Sequence, residues 1–324
     1  MRISLIYNRK AGGALAPKKL KALLRKFGHT LAHSVDKSDS WKDLAEDPGE
    51  MVVIAGGDGT VGAAAVKLAP LGVPLAILPT GTANNIAGAM GIQAASPEEH
   101  VASWEAASPR QVDIGVASGP WGVTSFIEGV GFGLLATCMA QLHAQDKRSD
   151  AKRDDTVFKL FRDRLALKAL APDYRPMALT GAVDGVGLQG AFLLVEALNI
   201  RSVGPGIDLV PDADPGDGLL DFAFVSAGDR EALVDYLAQK AQGADPPSPA
   251  EIHRGRVLTL TAPRHDAHVD DRLWRAGAKP PAVHPDVEIK AQAQTVMMLA
   301  PPLSGPDLPD MARMAVPTLL PVSD

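Results

Sequence analysis

The ten residues from Met51 to Thr60 constrain the fold of this chain more than any other stretch. They begin with an apolar run, 51–55, and end in Gly-Gly-Asp-Gly-Thr. A short β-branched run that ends in glycine is typical of a strand buried on both faces of a parallel sheet. The next residues, 61–68, predict a helix that Thr60 would cap with its side chain. A strand, a glycine turn and a helix N-terminus at one place suit a phosphate group.

The surrounding residues narrow down the kind of phosphate loop. Gly59 is followed by Thr60-Val61 without a lysine, which excludes a Walker loop. The glycines also match G-x-G-x-x-G, but a dinucleotide fold needs an acid at the end of the next strand. That strand, 74–78, ends instead in Pro-Thr-Gly-Thr-Ala-Asn-Asn. Two consecutive strand-end loops remain, which we call the first loop (56–60) and the second loop (79–85), with Asp58 as their only acid.

Length and composition set the outer bounds. A chain of 324 residues, 46% of them apolar, has room for two domains. A single cysteine, Cys138, excludes an internal disulfide framework and favours a reducing compartment. No apolar run approaches the ~18–20 residues needed to span a bilayer. We therefore expect a cytoplasmic protein whose contact with a membrane is peripheral, at the inner membrane, and we expect no nucleic-acid partner.

Charge is distributed unevenly along the chain. The net charge is −6, yet residues 1–35 contain eight Lys and Arg and no Asp or Glu. This basic arm predicts a local attraction to phosphate, on a nucleotide or on an anionic lipid surface. The alternative is that the lysines of 18–26 form the solvated face of an ordinary helix.

The order of predicted elements indicates two domains and a tail. Residues 1–113 alternate strands and helices, which predicts an α/β nucleotide-binding domain with a parallel sheet. Residues 114–300 contain many short strands with turn residues between them, typical of a β-sandwich that would hold the lipid or other substrate. The tail, 301–324, is rich in proline and is predicted to be disordered. Within the second domain, 157–165 predicts an amphipathic helix that either touches a membrane interface or covers the sheet.

The two loops together resemble those of the diacylglycerol kinase-like lipid kinases, relatives of NAD kinase and of sphingosine and ceramide kinases. The resemblance follows the element order over roughly residues 2–300 and is strongest over 51–91. It implies an NAD kinase-like fold, ATP and Mg²⁺ as cofactors, and an active cleft between the domains. The candidate nucleotide-binding residues are then Asn8, Lys10, Gly56, Gly57, Asp58, Gly59, Thr60, Gly81, Thr82 and Asn84.

Some of these residues have a plainer interpretation. Asp58 is the best-placed acid for a metal or for the attacking hydroxyl, but a turn aspartate can also bond its own backbone. Thr60, Thr82 and Asn84 can contact a nucleotide, cap a helix, or do both. Lys10 or Arg9 can reach phosphates or stay as solvated loop charges.

A second acidic segment lies at 212–221, with four carboxylates in ten residues. Its spacing does not fit an EF-hand, because Ala223 stands where the bidentate glutamate belongs. It resembles the family's Asp-Gly-x-Leu-Asp segment, which holds a Mg²⁺ that supports the second domain. The resemblance implies a metal site with Asp217 as a side-chain ligand and Asp214 and Leu219 as carbonyl ligands.

The chain departs from the family at the residue that matters most. In the family's C-terminal Asp-Gly-Glu motif the glutamate is the proposed general base, and the matching residues here are Asp270, Asp271 and Arg272. Arginine cannot accept the hydroxyl proton. The base would then be Asp271, Asp270 or Asp58, or the protein does not transfer phosphate. Asn85 also stands where the family commonly has aspartate. Close by, His265 and His268 lack zinc partners at suitable spacing and are interpreted as loop histidines.

These observations favour an ATP- and Mg²⁺-dependent kinase acting on the hydroxyl of a diacylglycerol-, sphingoid- or ceramide-like lipid at a membrane surface. Arg272 also permits a nucleotide-binding regulator of the same fold that has lost transfer. A third interpretation keeps the kinase and makes the acceptor a soluble alcohol. The sequence does not name the acceptor, and it is compatible with a homodimer without fixing the oligomeric state.

Overall fold

The first part of the chain folds as an α/β unit. The computed structural model describes residues 1–92, 95–146, 156–261, 264–276 and 286–301. The strands of this part are β1 (Arg2–Tyr7), β2 (Thr30–Asp36), β3 (Met51–Gly56) and β4 (Leu75–Pro79). The helices are α1 (Pro17–Lys26), α2 (Lys42–Glu46), α3 (Asp58–Leu68), α4 (Asn85–Ala89) and α5 (Pro97–Ser103).

These four strands form the predicted parallel sheet, in the order β4, β3, β1, β2. Every residue of β3 is buried, as the unbroken apolar run predicts. Alternate residues point to opposite faces: Val52 and Ile54 join one core cluster, and Met51 and Val53 join another. The carboxyl ends of β1, β3 and β4 therefore meet at one edge of the sheet, where the polar loops follow.

The prediction of Thr60 as the cap of the central helix was wrong. The predicted helix began at Val61, whereas α3 begins three residues earlier, at Asp58. Its N-cap is Gly57, in an extended conformation, and it has no side-chain cap. Thr60 is buried, and a Cβ added to Gly56 would meet its side chain. The helix starts early because glycine allows the tight turn directly after β3 and because an acid is favoured in a first helical turn.

The second part of the chain is a β-sandwich, as predicted, and it carries three helices. The helices are α6 (Leu134–Asp146), α7 (Thr156–Leu170) and α8 (Arg230–Ala241). The strands are β5 (Ser108–Gly119), β6 (Gly122–Phe126), β7 (Gly129–Gly133), β8 (Met177–Val183), β9 (Val186–Leu198), β10 (Ser202–Val203), β11 (Ile207–Asp208), β12 (Leu220–Ser226), β13 (Glu251–Gly255), β14 (Val257–Leu260), β15 (Ala267–Val269), β16 (Arg272–Trp274) and β17 (Val287–Ala300).

Two core clusters stabilise this part. Phe126, Phe132 and Phe222 are fully buried in the cluster between the strands. A second cluster lies under the helices, where Leu135 and Cys138 of α6 and Leu167 of α7 pack against β9 and β12. Among the described residues, no helix is long and apolar enough to cross a membrane.

The two parts are joined by long strands rather than by a loop alone. β17 pairs antiparallel with β5 along most of its length and reaches β4 in parallel at Met298. Val112 and Ile114 of β5, with Val296 and Met298 of β17, complete the core cluster of the first part. The division near residue 113 stays a prediction, and β17 returns from the second part to close the first.

α7 presents apolar residues on both sides. Leu167 is buried against the second part, as is Ala171 just after the helix, whereas Phe158, Phe161 and Leu165 are exposed. Covering the sheet thus accounts for only one face of this helix. The tail predicted to be disordered lies, beyond residue 301, outside the described residues.

Candidate active site

The first and second loops touch each other through glycine. A Cβ added to Gly57 would lie 2.7 Å from the Cα of Gly81, and a Cβ on Gly81 would collide with Gly57. The backbone bond from Thr80 N–H to the Gly56 carbonyl, 3.0 Å, holds the two strand ends in register just before this contact. Glycine is therefore required at both positions because the two backbones are in direct contact.

Asp58 links the two loops by its carboxylate. Oδ1 accepts a hydrogen bond of 2.9 Å from the backbone N–H of Ile86, in the first turn of α4. Burial raises the pKa of the Asp58 carboxyl, although hydrogen bonds from the backbone of 84–86 act in the opposite direction. The carboxylate thus occupies the positive end of α4. Asp58 accordingly bonds the backbone of the other loop as well as its own, which the turn interpretation did not foresee.

The second loop is braced by two asparagines. Asn84, in the left-handed region at φ 55°, accepts from Gly81 N–H at 2.9 Å and donates to the Gly81 carbonyl at 3.1 Å. The side-chain amide of Asn85 donates to Glu128 Oε1 at 2.6 Å and to the Gly204 carbonyl at 3.0 Å. Asn84 therefore shapes the loop, and Asn85 ties it to the second part of the molecule.

Glu128 is a site residue that sequence reasoning missed. Its side chain is buried and lines the cleft beside Asp58, and burial together with the charges of Asp58 and Asp270 raises its pKa well above the ordinary value. An acid at position 128, just before the glycines of β7, is visible in the sequence. Nothing in the sequence places it against Asn85, 43 positions away.

The hairpin of β15 and β16 turns at Asp270 and Asp271. Val269 pairs with Arg272, so these two aspartates form the whole turn, with Asp270 at φ 49°. The carboxylate of Asp270 points inward and accepts from the backbone N–H of Ile127, Glu128 and Gly129, at 2.8 to 3.3 Å. Burial raises the pKa of Asp270 to about 6, against the lowering by these N–H groups. Asp270 therefore anchors the turn.

Asp271, unlike Asp270 beside it, directs its carboxylate toward the first loop. It lines the cleft, and its carboxylate lies directly over Gly59, where a Cβ would overlap it. Gly59 is in the first turn of α3, so this carboxylate lies at the N-terminal end of that helix. Arg272 follows on β16 and is exposed. Of the three acids considered as bases, Asp58 and Asp270 are engaged by backbone N–H groups, and Asp271 faces the loop where phosphates are expected.

A buried ion pair supports the hairpin from beneath. His268 Nε2 lies 2.9 Å from Glu196 Oε2, and both side chains are fully buried. Burial lowers the pKa of His268, but the charge and hydrogen bond of Glu196 outweigh it and the net pKa is raised. The interpretation of His268 as a loop histidine was wrong: it lies on β15, and its ring contacts the Asp270 carbonyl at 3.2 Å through Nδ1.

The loops, the hairpin and two helices enclose one cleft of about 370 Å³. One wall is apolar and comes from α6 and α7, with Leu135, Met139, Leu142 and Leu167. Lys10 lines the cleft, whereas Arg9 turns to Asp36 at 3.2 Å. Three further cations line the cleft that the sequence did not single out: Lys37, Lys159 and Arg162.

Most of the predicted nucleotide-binding residues converge on this cleft. Gly56 and Asn84 do not line it and instead support the loops beneath. Those that line it are Asn8, Lys10, Gly57, Asp58, Gly59, Thr60, Gly81 and Thr82, together with the candidate bases Asp270 and Asp271.

The residues predicted to hold a supporting Mg²⁺ lie elsewhere. The carboxylate of Asp217 forms an ion pair with Arg254 and also accepts from Leu219 N–H at 2.9 Å. Asp214 lies 3.7 Å from Arg110. Within the part of the chain that the structure describes, no three or more His, Cys, Asp and Glu side chains form a metal-binding group. A Mg²⁺ at Asp217 would have to compete with Arg254, so this assignment stays a prediction.

The cleft suits a nucleotide phosphate better than the segment 212–221 suits a Mg²⁺. The N-terminus of α3 has no side-chain cap, and the contact between Gly57 and Gly81 leaves backbone rather than side chains at the surface of the loops. Lysines and an arginine lie around it. An uncapped helix start, side-chain-free loops and surrounding cations are the groups that bind a phosphate chain, and the carboxylates beside them suit its metal ion.

A parallel sheet with phosphate-type loops at its carboxyl edge, closed by a β-sandwich, defines a class of two-domain phosphate-binding folds. Residues 2–117 match the family described as "Diacylglycerol kinase catalytic domain". Residues 146–296 match the "YegS C-terminal NAD kinase beta sandwich-like domain". The chain therefore belongs to the diacylglycerol kinase-like family of lipid kinases, as its two loops indicate.

Individual relatives agree with this assignment. A diacylglycerol kinase of Bacillus subtilis is 27% identical over 288 residues, which cover 84% of this chain and 87% of that protein. A Pseudomonas putida protein named "Probable lipid kinase YegS-like" is 32% identical over 57% of this chain and 60% of its own length. A crystal structure of a diacylglycerol kinase from Bacillus anthracis has the same fold, with a TM-score of 0.60, 17% identity and coverage of 93% of this chain and 97% of that one.

Proposed function

We propose that this protein is an ATP- and Mg²⁺-dependent kinase that phosphorylates a hydroxyl of a diacylglycerol-, sphingoid- or ceramide-like lipid. The observation that carries the proposal is the position of Asp271. Its carboxylate lies over Gly59 in the first turn of α3 and lines a cleft with an apolar wall.

The residues of the cleft divide the work of phosphoryl transfer. The first turn of α3 and the glycine backbone of both loops bind the phosphates, with Lys10 supplying charge. Asp271 accepts the proton of the attacking hydroxyl, which must lie within hydrogen-bond reach of it. Asp58 and Asp270 hold the loops and the hairpin in place. A Mg²⁺ bound with the nucleotide would be held beside Asp271 and would neutralise charge on the transferring group.

A lipid acceptor is favoured over a soluble alcohol by the composition of the wall opposite the loops. Leu135, Met139, Leu142 and Leu167 present hydrocarbon to the cleft, and burying an acyl chain there contributes roughly 25 cal/mol per Å². A soluble alcohol or nucleotide acceptor would not gain from such a wall.

The test is a transfer assay with purified protein, radiolabelled ATP, Mg²⁺ and detergent-dispersed diacylglycerol, monoacylglycerol, sphingoid base and ceramide. We expect one class of lipid to become labelled on thin-layer chromatography, and the label identifies the acceptor. Bound ATP by calorimetry without labelled lipid in any arm would overturn the proposal in favour of the regulator of the same fold. Labelling only of added glycerol or another soluble alcohol would overturn the lipid acceptor alone.

A further inference from the structure

The outer face of α7 exposes an apolar surface in the part of the chain that the structure describes. Phe158, Phe161 and Leu165 are 57%, 44% and 39% exposed, and their spacing of three and four residues places them on one side of the helix. The buried side of the same helix carries Leu167 into the core cluster of the second part. Large aromatic side chains gathered on one exposed helical face mark a contact with another apolar phase.

The charges around this face select the kind of partner. The only acid in α7 is Asp163, which lines the cleft and pairs with Arg162 on the inward side. Lys168 follows Phe161 by seven residues, so it lies on the outer face and is exposed, and Lys159 is exposed at the edge of the cleft. Among the described residues of α7, this face carries phenylalanines, a lysine and no carboxylate. Such a face matches an anionic bilayer surface, where aromatic rings enter the interface and lysines meet the headgroups.

The position of this face relative to the cleft supports the same partner. One helix supplies the exposed phenylalanines on its outer side and the cleft residues Asp163 and Leu167 on its inner side. A bilayer in contact with the outer side would therefore lie next to the apolar wall formed with α6.

We propose that the α7 outer face, defined by Phe158, Phe161 and Leu165, docks this protein on an anionic membrane and brings the cleft to its lipid acceptor. The delivery of a lipid acceptor rests on the proposed function, but the binding of this surface to a membrane can be tested without catalysis. It names the docking residues, which the lipid-kinase assignment alone does not.

The experiment is sedimentation of the full chain with vesicles of phosphatidylcholine containing phosphatidylglycerol. The double variant Phe158→Ser/Phe161→Ser should bind at least about tenfold more weakly, because both side chains lose their apolar burial in the interface. The matched control is Val123→Ser/Val186→Ser, which removes side chains that are 77% and 74% exposed on the sandwich. The control should bind like the wild type.

A second measurement separates this surface from catalysis and from folding. Circular dichroism should show both double variants folded, and transfer to a short-chain, monomeric acceptor should be unchanged in Phe158→Ser/Phe161→Ser while transfer to vesicle lipid falls. Equal vesicle binding by this variant and the wild type would overturn the docking surface. Loss of a concentration-dependent dimer in the variant, seen by light scattering without any vesicle binding by the wild type, would assign the face to a second copy instead. Vesicle binding by a wild type that labels no lipid would overturn the proposed function and leave the surface standing.

Discussion

Two groups of acids in this chain differ in how sequence and structure bring their members together. The cleft acids, Asp58, Glu128, Asp270 and Asp271, come from three distant segments and meet between the two parts of the molecule. The segment 212–221 carries four carboxylates within ten residues, yet its Asp217 pairs with an arginine at the surface. The density of carboxylates along a chain therefore says little about where a reactive acid will be.

The physical difference lies in what surrounds each carboxylate. In the cleft, burial raises the pKa of Asp58, Glu128 and Asp270, and backbone N–H groups hold two of them. In the segment 212–221, Asp217 pairs with Arg254 at the surface, whereas Asp221 is half-buried in β12 and burial raises its pKa. Acids that meet in one cleft can be tuned together for proton transfer, and those of this segment are divided between the surface and a strand.

The largest effect is expected at Asp271, and it tests whether the cleft acids differ in function from those of the segment 212–221. Asp271→Asn removes the proton acceptor and should lower the rate of lipid phosphorylation by about 10²–10⁴-fold, the usual contribution of a general base. ATP binding by calorimetry should be kept, because the glycine loops remain. Arg272→Gln, on the same hairpin, is the matched control and should change the rate little. A fully active Asp271→Asn protein would return the role to Asp58 or Asp270.

The next effect concerns stability and pH at Asp270. In the unfolded chain its pKa is ordinary, 3.8, and in the folded protein it is about 6. The folded protein therefore holds the proton more tightly, so this stability is fully present below the ordinary value and is lost as the pH rises through about 6. The difference corresponds to roughly 3 kcal/mol of unfolding free energy.

Urea unfolding measured between pH 4 and pH 7 tests this expectation. The unfolding free energy of Asp270→Asn should fall less over this range than that of the wild type, because the variant lacks the titrating group. Asp217→Asn, which changes an acid of the surface segment, is the control and should follow the wild type. Parallel curves for wild type and Asp270→Asn would contradict the assignment of a raised pKa.

The contact between Asn85 and Glu128 allows a test of whether activity requires the carboxyl of Glu128. Glu128→Gln keeps an amide hydrogen bond to Asn85 but removes the acid, and it should lower kcat about 10–100-fold if the carboxyl itself matters. Asn85→Asp places two buried acids in contact and should also be impaired. The double variant Asn85→Asp/Glu128→Gln restores one acid and one amide and should recover much of the activity.

The reverse pattern has a clear meaning. If Glu128→Gln is as active as the wild type, the contact with Asn85 is a structural bond between the two parts and nothing more. A KM for ATP that is unchanged from the wild type in all three variants would show that the second loop is still formed. The comparison of the double variant with both single variants separates the carboxyl from the hydrogen bond.

The smallest effect is expected in the surface segment. Asp217→Asn breaks an exposed ion pair with Arg254 and should change the unfolding free energy by about 0–1 kcal/mol in the absence of metal. If Asp217 holds a supporting Mg²⁺, added Mg²⁺ should raise the Tm of the wild type and not of this variant. An equal rise in both proteins would remove the predicted metal site and leave the segment as a solvated loop.

The sequence by itself determined the architecture and the first half of the site. The apolar run 51–55 predicted a strand buried on both faces, and the glycines after it and after β4 predicted loops at the carboxyl edge of the sheet. Local periodicity and turn chemistry fix such features because they depend on neighbouring residues. The same reasoning placed Thr60 at the start of α3, where the helix in fact begins at Asp58.

Tertiary structure alone decided which acid faces the first loop. Asp270 and Asp271 are adjacent in sequence, and only the two-residue turn points one inward to the N–H groups of β7 and the other toward Gly59. The contact of Asn85 with Glu128 and the exposed side of α7 depend likewise on how distant segments pack. Such contacts have no local signature, because their energy comes from residues that meet only when the chain has folded.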